Sequence, residues 1–164
     1  MAVTRKTTDY TDRKVDILAF DGAFNDGTFE LAQNLYGAEQ ASGKVCAGIQ
    51  KLAQRWAIEF MTPLGSVPYL PSRGCNFINQ SRSGRLRTEA DALTAFNFAR
   101  DKVAFNLRLE DSTGTYPDDE KYASAELISL KLDTGSKLSL SVRINSLAGV
   151  SRVFVVPLTV VPAR

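Results

Sequence analysis

The chain has no histidine in its 164 residues. That absence removes Ser-His-Asp and Cys-His catalysis together with the commonest metal ligand. Cysteine is nearly as scarce. Cys46 and Cys75 are too few for a disulfide framework and lack a metal-ligand spacing, so each reads as a small packed hydrophobe. The glycines form neither GxGxxG nor GxxxxGK[ST], which leaves phosphate-cradling loops without support. No apolar run is long: the strongest, 153–162, is far short of the ~18 residues that a spanning helix needs. The opening MAVTRKTTDYTDRK has no apolar stretch of the secretory kind, and the expectation is a soluble protein that begins in a cytoplasm. Excess charge is missing too. Twenty basic and 18 acidic residues leave a net charge of +2, which gives no reason to propose nucleic acid as a partner.

What is present suits one domain, at 44% hydrophobic and 23% charged residues. Residues 1–14 mix basic, hydroxyl and acidic types without periodicity and read as an extended arm ahead of a single domain at 15–164. A short apolar segment at 15–20 ends at Asp21-Gly22, and Asn25-Asp26-Gly27 is a second turn signal. Residues 28–36 suit a short helix with Phe29, Ala32 and Tyr36 on one face. Val45, Ile49, Leu52, Trp56 and Phe60 recur at steps of three and four and predict a main helix from about Lys44, with Lys51, Gln54 and Arg55 on its wet side. Thr62-Pro63 ends it, since proline restricts the residue before it and cannot donate to the preceding turn.

Thr88-Glu89-Ala90-Asp91 resembles a capping box and predicts a second helix to about Ala104, with Ala92, Phe96, Ala99 and Val103 inward. The period then shortens. Residues 105–110 alternate apolar with polar and predict a strand. Ile128, Leu130 and Leu132 face Leu138, Leu140, Val142 and Ile144 across a turn at 133–136, a hairpin with one dry face and a well-specified register. Residues 152–158 form the last strand, where Pro157 argues for an edge or an ending. The expected class is α+β: two main helices packed on a small, largely antiparallel C-terminal sheet at about 105–158, with an extended N-terminal arm.

Two groups of charged residues stand out. Arg82, Arg85 and Arg87 lie within six residues and make either a solvated loop or a set of fork-like donors to an acidic partner patch. Glu59, next to Trp56 and Phe60, is the best candidate for the acid of a lysozyme-like carboxylate pair. It lies at the border of the apolar stripe, where a salt-bridged carboxylate is the ordinary case.

The order of signals carries a resemblance. A helix running into Met61-Thr62-Pro63-Leu64-Gly65-Ser66, the segment Pro71-Ser72-Arg73-Gly74-Cys75-Asn76-Phe77, a second helix, and then a hairpin and strand is similar to the baseplate wedge, or sheath initiator, family of contractile phage tails. The likeness covers about residues 45–158. It departs where that family carries Glu-Pro-Arg, since 101–110 holds no such tripeptide and offers only Arg108 and Glu110.

The resemblance implies a non-enzymatic virion protein with no catalytic residue, metal or cofactor, located in the tail baseplate after assembly in the host cytoplasm. Its terminal sheet would take up extended arms of the first sheath ring and so template sheath polymerisation by β-augmentation. The sheath-interface candidates are then Arg152, Val153, Phe154, Val155, Val156 and Leu158, and the baseplate-interface candidates Arg82, Arg85, Arg87, Arg108 and Glu110. Implied partners are the tail sheath protein, other wedge and hub proteins and the tail tube, with six copies in a ring and neither nucleic acid nor membrane. The alternatives are another tail or neck adaptor, or a peptidoglycan hydrolase built on Glu59.

Overall fold

The computed structural model describes residues 14–21, 24–25, 28–30, 32–33, 45–133 and 137–160. Apart from Lys14, the expected N-terminal arm lies outside the described residues. Helix α1 (Ile49–Met61) organises the core. It starts at Ile49 and not near Lys44, because Gly48 has a φ of 60° and breaks the helical run. Before that break, Val45–Cys46 (β6) pairs antiparallel with Asp16–Ile17 (β1). Leu52, Trp56 and Phe60 are wholly buried. Trp56 stacks on Phe60 with ring centroids 4.8 Å apart and meets Phe154 of the sheet edge-on at 5.7 Å. Phe60 in turn touches Phe77 at 4.8 Å and Phe96 at 5.8 Å. One aromatic cluster thus joins α1 to α2 (Phe77–Arg82), to α3 (Glu89–Thr113) and to the sheet. Such clusters combine large buried area with favourable ring geometry.

The capping box forms as read. The Thr88 hydroxyl accepts from the Asp91 amide at 3.1 Å, and the Asp91 carboxylate accepts from the Thr88 amide at 3.0 Å. Helix α3 then runs for 25 residues, to Thr113. This overturns the strand expected at 105–110. Phe96, Ala99, Val103 and Leu107 form one buried helical row, and the apparent alternation of Phe105, Leu107 and Leu109 is two faces of the same helix. No glycine or proline interrupts the chain until Gly114, whose amide closes the last turn on the Glu110 carbonyl at 2.8 Å.

The sheet is built on three long antiparallel strands, β7 (Tyr122–Leu132), β8 (Lys137–Ser146) and β9 (Ser151–Thr159), so its C-terminal part starts at Tyr122 and not near residue 105. Leu138, Leu140, Val142 and Ile144 of β8 are buried as the alternation requires. On β7 the register shifts between Leu127 and Ser129, and this bulge turns Ile128 outward to 47% exposure. Leu127 packs on the core instead, which corrects the inward place expected for Ile128.

Two short strands, β3 (Phe24–Asn25) and β4 (Thr28–Glu30), extend the sheet past β9 in the order β3-β4-β9-β8-β7. β4 runs parallel to β9, pairing Phe29 with Phe154 and Glu30 with Val155. A further short strand, β5 (Ala32–Gln33), pairs with β2 (Phe20–Asp21). The short helix expected at 28–36 is therefore replaced by strands at Thr28–Glu30 and Ala32–Gln33, while 34–36 lie outside the described residues. Pairing with β9 supplies hydrogen bonds that local helical periodicity does not, and tertiary context prevails over propensity. Pro157 lies beyond the last β4 pair, where the outer side of β9 needs no amide from it. The fold is α+β, with helices packed on the antiparallel sheet.

Candidate functional site: a polar seam beside an open sheet edge

Lys51, Arg55 and Glu59 sit one helical turn apart on α1, beside the stripe of Leu52, Trp56 and Phe60. The side of α1 expected to be wet is in fact covered. Gln54 is buried, its amide donating to the Ile17 carbonyl at 2.8 Å and its oxygen accepting from the Ala19 amide at 2.8 Å. Lys51 pairs with Glu120 at 2.9 Å, and the same carboxylate accepts the Gly48 amide at 3.0 Å. Arg55 bonds both Glu110 and Asp111 at 2.9 Å, donates to the Glu120 carbonyl at 3.0 Å and lies 4.2 Å from the centre of the Tyr116 ring.

Glu59 is 2% exposed. One oxygen accepts the Gly74 amide at 2.8 Å and the Asn106 side-chain amide; the other accepts Arg73 Nε at 3.0 Å. Arg73 also pairs with Glu110, and Asn106 donates to the Ser72 carbonyl at 3.2 Å. The Asp111 carboxylate accepts the Tyr122 amide at 2.7 Å. The result is a continuous relay of charge-assisted bonds, Glu59–Arg73–Glu110–Arg55–Asp111, linking α1, residues 72–75, α3 and the start of β7. Buried charges are tolerated when each is paired and hydrogen-bonded, and here they are. Both Glu59 oxygens are committed to structural donors.

The electrostatics follow from the geometry. Burial pushes the Glu110 carboxyl up, but hydrogen bonds and charge from Arg55 and Arg73 outweigh it and hold its pKa below the ordinary 4.5. A carboxylate with a depressed folded pKa stabilises the native state fully above its unfolded value, and that contribution is lost as pH falls through the folded value. Acid titration of stability should therefore steepen below pH 4.5, and Glu110→Gln should flatten that limb. Urea midpoints measured between about pH 3 and 7 check this. An unchanged acid limb in the variant refutes the relay's part in it.

Both thiols are buried, and burial pushes each up to about 11. Cys75 donates to the Phe60 carbonyl at 3.0 Å. Only the thiolate is nucleophilic, so native protein at pH 8 should react with iodoacetamide at least ~100-fold more slowly than urea-unfolded protein.

Of the residues singled out by sequence, Glu110 and Glu59 enter the seam. Arg108 points outward, donating to the Ala123 carbonyl at 3.2 Å over the Tyr122 ring. Arg82, Arg85 and Arg87 are exposed around buried Leu86, and no hydrogen bond or ion pair among the described residues joins them to Arg108 or Glu110. On β9, Phe154 and Val156 are wholly buried, while Arg152, Val153, Val155 and Leu158 are part-exposed. Sequence reading missed Lys51, Arg55, Arg73, Asn106, Asp111 and Glu120. The i, i+4, i+8 spacing of Lys51, Arg55 and Glu59 was the available signal.

No family model, curated protein or solved structure matches this chain. The relay anchors a strand that stands at the sheet's edge. β7 pairs with β8 on one side, and among the described residues no strand pairs with the other. α3 ties down its two ends, Asp111 at the Tyr122 amide and Glu89 at the Leu132 amide, 3.3 Å away. Between those ties the outer backbone of 124–131 has no neighbouring strand, and Glu126, Ile128, Ser129 and Lys131 are exposed. A second stretch of this kind is 156–159 of β9, beyond its last pair with β4.

Proposed function

We propose that this protein is a structural component of a contractile phage tail baseplate that surrounds the tube and templates the sheath by accepting a strand from the first sheath ring. The observation that carries the reading is the outer edge of β7, eleven residues long, fixed at both ends by α3 and paired with no strand among the described residues. The likeness of residues 45–158 to the baseplate wedge family supports it. An unpaired edge offers N–H and C=O groups that an arriving strand satisfies, while alternating side chains set its register. In this reading the relay keeps β7 in place while an arm docks, and the protein acts by assembly and not by catalysis. Six copies around a tube would multiply weak single contacts into firm attachment. The exposed Arg82, Arg85 and Arg87, with Arg108, would face neighbouring wedge or hub proteins.

Amide hydrogen exchange on mixing with the sheath protein of the same virus tests this. Protection should rise at least ~10-fold within 124–131 and leave α1 unchanged. Protection confined to 156–159 would assign the docking edge to β9. No new protection in either stretch, with sheath protein competent to polymerise, overturns strand acceptance and leaves a tail adaptor of another kind.

A further inference from the structure

Helix α3 carries a feature that neither the core nor the relay uses. Phe98, Lys102, Phe105 and Leu109 recur at steps of four, three and four along one face. The three apolar members are exposed by 72%, 63% and 56%. Buried helix faces are wider than this, whereas alternating steps of three and four are the spacing of a two-helix seam. An exposed row of two phenylalanines and a leucine on one helix is a marked surface, since isolated apolar side chains are normal but aligned ones signal a contact.

We propose that this stripe is the contact between two copies of the chain, their α3 helices antiparallel about a two-fold axis that crosses between Val103 and Ala104. Phe98 of each copy then meets Leu109 of the other, and Lys102 meets Phe105.

Charge selects this occupant and this direction. Asp101 and Arg108 are both exposed and flank the stripe on the same side, one heptad apart. In antiparallel helices with these layers, flanking residues on that side meet each other, so Asp101 of each copy reaches Arg108 of the other, twice over. Asp101 binds Arg100 through Oδ1 alone, and Arg108 donates to the Ala123 carbonyl through Nη2 alone, which leaves Oδ2 and the other guanidinium nitrogens for the contact. A parallel pair would instead set Lys102 against Lys102, a like-charge layer that disfavours it. Lys102 already lies 5.4 Å from the centre of its own Phe105 ring, and the antiparallel layer offers it a second ring.

At the Phe98 end, a cavity of about 310 Å³ opens between α3 and Leu64, Cys75 and Phe77, in position to receive Leu109 of the second copy. One lysine in a short seam fixes register at a cost in affinity, so the dimer should be weak, with Kd on the order of 10–100 µM. A two-fold contact closes at two copies and cannot build a ring. The dimer is therefore a state of the free protein, whose stripe does not depend on the baseplate reading and whose Arg108 would be released to a wedge or hub neighbour on assembly.

Sedimentation equilibrium of the full chain from about 5 to 300 µM tests it, spanning the expected Kd. The expected result is a monomer–dimer equilibrium that Phe105→Glu weakens at least ~10-fold, as does Arg108→Asp by a smaller factor. The charge swap Asp101→Arg with Arg108→Asp should recover the affinity lost in Arg108→Asp. Unchanged circular dichroism in these surface variants separates lost contact from lost fold. A chain that stays monomeric to about 300 µM overturns the proposal. So does a dimer indifferent to Phe105→Glu, a swap that fails to restore, or a stripe that binds only a helix of another protein.

Discussion

Gly74→Ala should destabilise the native state by about 3 kcal/mol or more, read as a lower urea midpoint with an unchanged slope. Gly74 has a φ of +83°, and a β-carbon there would stand 2.3 Å from the Thr62 carbonyl oxygen. That oxygen accepts the Cys75 amide at 2.9 Å, and the Gly74 amide itself binds Glu59 at 2.8 Å. The methyl group would therefore push apart the bridge between Pro63 and Cys75 and the first link of the relay together. The left-handed backbone costs alanine roughly 1–2 kcal/mol by itself, and overlap with fixed backbone adds about 1–3 kcal/mol more. Gly65 is the control. It has a similar φ of +79° and nothing within 4 Å of the added carbon. Gly65→Ala should show only the backbone cost, about 1 kcal/mol. Equal losses in the two variants would mean that residues 72–75 yield to the methyl group, and that the close approach at Thr62 is not a constraint.

Glu59→Ala should cost about 3 kcal/mol, near the lower end for breaking a buried ion pair. The substitution strands the Gly74 amide in the interior without its acceptor and leaves the Asn106 side-chain amide only the Ser72 carbonyl. Arg73 suffers less, because its side chain is about one-third exposed and keeps Glu110. Glu59→Gln retains the shape but turns one acceptor into a donor facing Arg73 or Asn106, and should cost about 2 kcal/mol. Adding Arg73→Ala to Glu59→Ala should cost less than the sum of the single losses, since both act on one network. The same variants separate a structural carboxylate from a catalytic acid. A stable Glu59→Gln protein that loses a peptidoglycan-cleaving activity of the parent chain would transfer Glu59 to the catalytic reading and remove it from the relay.

Different parts of the structure were legible in the sequence for different physical reasons. The apolar row Leu52, Trp56 and Phe60, the capping box at Thr88 and the alternation through Leu138, Leu140, Val142 and Ile144 are local patterns, and the folded chain keeps them. The strand expected at 105–110 failed because six alternating residues fit a helix equally well when no breaker separates them from the helix before. The helix expected at 28–36 failed because β4 takes its hydrogen bonds from a strand more than 120 residues away. The bulge that turns out Ile128 likewise depends on β8.

The candidate site divides in the same way. Glu59 and Glu110 could be noticed as charged residues in unusual surroundings, but their partners could not. Glu59, Arg73 and Glu110 are separated by 14 and 37 residues and meet only because α1, the turn at Gly74 and α3 pack together. The open edge of β7 is a property of strand order, which no strand's own sequence encodes.

The sequence alone determined the absence of histidine chemistry, the α+β class, the capping of α3 and the dry face of β8, since each depends on residue type or on spacing within one element. Tertiary structure alone decided which charges pair, where α3 ends relative to the sheet and which strand edge has no partner strand among the described residues. These are contacts between distant segments, and their geometry exists only once the core around Trp56 has closed.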